Sequence, residues 1–119
     1  MTVKECYAEM GANYDDVVSR LRTDERIAKF LGKILNDGSF ELLKKSLDEK
    51  NIEEAFRAAH TLKGVCMNMS LTKLQASASK LTEALRGRTE YGEDIGPLFI
   101  AVRDDYEYTM ACIRKLHVV

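Results

Sequence analysis

His60 and Lys63 stand three residues apart in the stretch Ala59-His60-Thr61-Leu62-Lys63-Gly64. On a helix, residues i and i+3 are neighbours, so this spacing sets an imidazole beside an ammonium. An exposed imidazole on a rigid element can attack phosphorus as a nucleophile near neutral pH, and the ammonium would neutralise a phosphoryl group placed on it. Gly64 follows on the next turn and leaves the space around the ring open. A mid-helix glycine costs about 1 kcal/mol relative to alanine, so local stability is given up there.

The helix that carries these residues is expected to run from Asn51, with Glu54 three residues on as a start signal, to about Met69. At 100° per residue, Ala55, Ala58, Leu62, Val65, Cys66 and Met69 form the core stripe. Opposite them fall Glu53, Phe56, Arg57, His60, Lys63, Gly64 and Met67. Large apolar side chains flanking charges on an outer face mark a docking surface, and Phe56, Arg57 and Met67 are its candidates. A histidine beside a lysine is by itself more often an ordinary solvated pair. Gly64, Phe56 and Met67 on the same face bring the two readings level.

The other elements follow from punctuation. Thr2 with Glu5 opens a short N-terminal helix that Gly11-Ala12-Asn13 closes, and a further turn covers Tyr14 to Leu21. Thr23 starts a helix with Ile27, Phe30, Leu31, Ile34 and Leu35 on one stripe, broken at Asn36-Asp37-Gly38. Ser39 caps the next, carrying Phe40, Leu43 and Leu47. Ser70 caps another, with Leu71, Leu74, Ala78, Leu81 and Leu85 inward and Gly87 just past its end. After the polar loop Arg88 to Gly96, Pro97 opens a last helix marked by Leu98, Ala101, Val102, Tyr106, Thr109, Met110, Ile113 and Leu116, with His117 at its frayed end. The expectation is all-α: an antiparallel up-down four-helix bundle with additional short N-terminal helices, one domain over residues 1–119 with its bundle core at about 23–117.

Composition excludes several classes. With 18 basic and 19 acidic residues the net charge is −1, which gives no attraction to a nucleic-acid backbone. The three cysteines form no CxxC pair, and a reducing cytoplasm fits them. No apolar run suits a membrane span or a signal peptide. Glu-x-x-His metal pairs are missing, since Arg57 and Arg114 precede the two histidines at that spacing. Cys66 lies about 120° around the helix from His60, too far for a nucleophile pair, and no glycine-rich phosphate loop is present. A monomer is expected, because no heptad seam stands out.

The stretch around His60, with Asn68 and Leu71 downstream, resembles the signature of histidine-containing phosphotransfer (HPt) domains. The likeness is most specific at His-x-x-Lys-Gly and extends in helix order over residues 23–117. It implies that His60 accepts a phosphoryl group from a receiver-domain aspartate, or from a histidine kinase, and passes it to another receiver. Lys63 would be its electrostatic companion and Gly64 the small residue that admits the partner. Val65-Cys66 stands in place of the family's usual small pair, and Ser70 where glycine is common. The resemblance also implies no cofactor of the chain's own, with Mg²⁺ belonging to the receiver, so the chain would be a phosphocarrier and not an enzyme. The alternative is a helical adaptor that docks receiver or kinase domains through the same face without carrying phosphate. On the antiparallel neighbour, Gln75, Ser79, Thr82 and Arg86 form a polar stripe. Thr82 or Arg86 would reach a phosphate on His60 if that flank faces it; the other reading is a solvated edge.

Overall fold

Side-chain caps set most of the helix starts in the computed structural model, which describes residues 1–117. Thr2 and Glu5 close a reciprocal capping box at the head of α1 (Val3–Met10). Asn13, Thr23 and Asn51 each accept a backbone N–H at the start of α2 (Tyr14–Leu21), α3 (Asp24–Ile34) and α5 (Ile52–Asn68). The remaining helices are α4 (Ser39–Asp48), α6 (Thr72–Leu85) and α7 (Ile95–His117), and among the described residues there is no strand.

The chain is an all-α antiparallel bundle of α4 to α7 with the shorter helices added at its N-terminal side. The central helix α5 packs between α4 and α6, α6 packs on α7, and α1 and α3 both lie against α7. Buried residues from all seven helices join in one apolar cluster. Its largest fully enclosed side chains include Tyr7, Leu43, Leu74, Leu81, Ile95 and Met110.

Two serines do not cap helices as the sequence suggests. Ser39 is the first residue of α4; its N–H donates to the Asp37 carboxylate at 2.9 Å, and Gly38 holds the cap position without a side-chain bond. Ser70 lies in the left-handed region at φ +55° and ends α5 instead of starting α6. Its N–H donates to the Met67 carbonyl while that of Leu71 donates to the Cys66 carbonyl, the paired closure of a Schellman turn. That left-handed position is the reason a glycine is at home there.

The added helices hold the same end of α5. Arg20 of α2 donates through Nη2 to the carbonyls of Met67 (3.2 Å) and Asn68 (2.9 Å) and to Ser70 Oγ, and the Tyr7 hydroxyl of α1 donates to the Met69 carbonyl at 2.8 Å. Carbonyls that a helix C-terminus leaves unpaired are thereby satisfied. Ser70 Oγ donates in turn to Asp16, whose carboxyl is held low first by that hydroxyl and then by Arg20.

Three smaller expectations also change. Helix α7 begins at Ile95, two residues before Pro97, and continues through His117, whose Nε2 lies 2.8 Å from the Ala28 carbonyl oxygen of α3. The end at His117 is therefore anchored to α3. Phe30 and Ala101, expected inside, are exposed.

Candidate functional site

His60 lies in the third turn of α5 and projects into solvent, while Ala58, Ala59 and Leu62 around it are buried. The inner stripe holds as expected at Ala55, Ala58, Leu62, Cys66 and Met69; Val65 is half-buried, and Ala59 joins the core. On the outer face Glu53, Arg57, His60 and Met67 are exposed, with Met67 at 49%.

A Cβ built on Gly64 meets nothing within 4 Å. The glycine is therefore not demanded by packing within this chain, and the space above it is open to a second molecule. Half-buried Lys63 precedes it.

Phe56 is half-buried, not exposed, because it packs against the core and the Arg86 side chain, just past the end of α6, lies over its ring. Its ring centroid is 5.9 Å from that of His60, and the guanidinium carbon of Arg86, at the C-cap of α6, lies 5.1 Å from the same ring. A guanidinium at this distance is drawn to the ring face. Arg86 is also held by Glu83, with Nε–Oε2 at 3.1 Å and Nη2–Oε1 at 2.9 Å. Hydrogen bonds from Arg86 hold the Glu83 carboxyl below the ordinary carboxylate range, and the charges of Arg86, Lys63 and His60 add to this.

The part of the chain that meets the Phe56–His60 pair is thus the C-terminal end of α6, with Glu83 in its last turn and Arg86 at its cap. Thr82 does not belong to the site. It is 0% exposed, and its hydroxyl donates to the Ala78 carbonyl at 2.7 Å, so it is spent inside the bundle. Glu83, at the end of the Ser79 to Glu83 stretch expected level with His60, is not among the polar-stripe residues Gln75, Ser79, Thr82 and Arg86, yet it is exposed and pairs with Arg86; the i, i+3 spacing to Arg86 is the signal for it in the sequence. Arg57, an expected docking residue, bridges Glu53 and Glu54 at 2.8 Å each and remains accessible.

The site therefore holds one outward imidazole, an ammonium on the same helix, a guanidinium stacked on the neighbouring Phe56 ring, one carboxylate already paired, and an open approach over Gly64. The family model described as the Hpt domain matches residues 35–110, more than half of the chain. The chain belongs to the Hpt domain family. Hpt domains are phosphocarrier modules of two-component signalling that work with receiver domains and histidine kinases. The matched range runs from the end of α3 to Met110 of α7 and contains every site residue named above. No curated protein and no solved structure gave a match. Among the described residues of this Hpt chain, no helix is long and apolar enough to cross a membrane.

Proposed function

We propose that the protein is a phosphorelay intermediate in which His60 receives a phosphoryl group from a receiver aspartate or a histidine kinase and hands it to another receiver aspartate. The observation that supports this most is the open space over Gly64 beside an outward His60, in a chain of the Hpt family. In the forward step the lone pair of a ring nitrogen forms the P–N bond, and the P–O electron pair leaves with the aspartate carboxylate. The proton on the other ring nitrogen stays in place. Lys63 supplies positive charge from the same face of α5, and the Arg86 guanidinium adds to it from over the Phe56 ring.

The chain's contribution in this reading is a positioned nucleophile and a docking face made of Phe56, Arg57, Gly64 and Met67. Mg²⁺ and the acidic residues that bind it come with the receiver. The chain acts as a monomer in the cytoplasm, as a carrier without a nucleotide site of its own, and residues 1–119 behave as one folding unit. The test is a mixture of the purified chain, a phosphorylated receiver and Mg²⁺. Label moving to the wild type and not to His60→Gln supports a relay. Binding by both proteins without label on either supports an adaptor that uses the same face.

A further inference from the structure

We propose that Glu83 is a positioning residue that holds phosphohistidine at His60 in a high-energy state: it occupies Arg86 and sets a carboxylate against the phosphoryl charge, so that the group passes onward. This rests on His60 being the phosphoacceptor. Three contacts connect the groups. Glu83 binds Arg86 through both carboxylate oxygens, Arg86 lies over Phe56, and Phe56 lies beside the His60 ring.

Charge accounts for the direction. Lys63, three residues along α5 from His60, and Arg86, stacked on the Phe56 ring that adjoins the imidazole, carry two positive charges on this surface, and Glu83 pairs with one of them. A phosphoryl group carries close to two negative charges at neutral pH. With Glu83 ionised, one net positive charge faces that group; without it, two do. A neutral residue at position 83 frees the Arg86 fork for the phosphoryl oxygens, a geometry that a guanidinium matches with two hydrogen bonds. Arg57 offers no substitute, since its two carboxylate partners lie one turn back along α5. The bond chemistry is unchanged: the same P–O and P–N bonds exchange, and only the free energy of the phosphohistidine side moves.

The experiment loads His60 with phosphoramidate, which gives up its phosphoryl group to the ring nitrogen and leaves as ammonia, so neither kinase nor receiver is needed. Wild type, Glu83→Gln and Glu83→Asp are loaded, and the phosphohistidine half-life and the exchange equilibrium with a receiver and Mg²⁺ are measured. Glu83→Gln is expected to shift that equilibrium toward phosphohistidine by about fivefold and to lengthen its half-life. Glu83→Asp stays near wild type, and the shift shrinks in high salt, as screening of exposed charges requires. Equal equilibria and half-lives in wild type and Glu83→Gln would overturn the proposal, as would a shift toward the receiver or a shift indifferent to salt. If no receiver exchanges with any of the three, the relay reading fails. The half-lives of the phosphoramidate-loaded proteins still decide the role of Glu83.

Discussion

Arg86, the residue that caps the C-terminus of α6, lies with its guanidinium carbon 5.1 Å from the centre of the Phe56 ring on α5. That contact joins the helix carrying His60 to the C-terminal end of its neighbour α6 and sets a permanent cation over the aromatic ring beside His60. Arg86→Ala is expected to slow phosphoryl transfer by about three- to tenfold while the melting temperature barely moves, since an exposed ion pair adds little stability. Arg86→Lys keeps the charge, loses the planar stack and falls between the two. Stopped transfer assays together with thermal melts separate these outcomes; a large drop in melting temperature for Arg86→Ala would give the residue a structural role instead.

Gly64 predicts a split between stability and function. An alanine Cβ there meets nothing within 4 Å, so Gly64→Ala should stabilise the helix by about 0.5–1 kcal/mol. Gly64→Leu should keep the helical circular dichroism signal and slow transfer at least about tenfold, because the partner can no longer approach the ring. Transfer at the wild-type rate in Gly64→Leu would remove the docking argument.

The turn at Ser70 carries a prediction for acid stability. Ser70→Ala keeps the left-handed backbone and loses the hydroxyl contacts to Asp16 and Arg20, a cost of about 1–2 kcal/mol. Ser70→Gly loses the same contacts and recovers about 1 kcal/mol of backbone strain, so it should melt above Ser70→Ala. The Asp16 carboxyl is held low in the folded state, as are those of Asp94 beside Arg88 and Glu83 beside Arg86. A lowered folded value contributes stability that is complete above the unfolded value, about pH 4, and is lost as pH falls through the folded one. Melts should be flat near neutrality and drop below about pH 4, less steeply in Asp16→Asn. An unchanged acid slope in that variant would contradict the role given to Asp16.

The thiols should be inert. Burial pushes Cys6 up to about 11 and Cys66 up to about 12, and raises Cys112 as well, so little thiolate forms near neutrality. A disulfide reagent should find almost no reactive thiol in the native protein and all three after denaturation. Rapid reaction of one native thiol would mean that its helix opens.

Much of this arrangement is legible in the sequence, and the misreadings have definite physical causes. Helix starts at Thr2, Thr23 and Asn51 follow from local cap chemistry, which depends on residues three apart and on nothing distant. Ser39 and Ser70 fail that rule because a serine beside a helix end has several hydrogen-bonding options; here Asp37 takes the Ser39 N–H, and Arg20 and Asp16 bond the Ser70 hydroxyl. The outward face of α5 is likewise set by its period, and His60, Lys63, Gly64 and Met67 fall where the period puts them. Thr82 and Glu83 are adjacent in sequence but point to opposite environments, core and site, and only the rotation of α6 against α5 decides which is which. Phe56 is covered by Arg86, a contact between helices that no single-helix pattern contains.

The most direct test is to follow label from a phosphorylated receiver in Mg²⁺ to the wild-type chain and to His60→Gln side by side. Acid-labile label is expected on the wild type, none on His60→Gln, and the same helical content in both, because His60 faces solvent and packs little of the core. Label retained on a folded His60→Gln would contradict the account, since another residue would then be the acceptor.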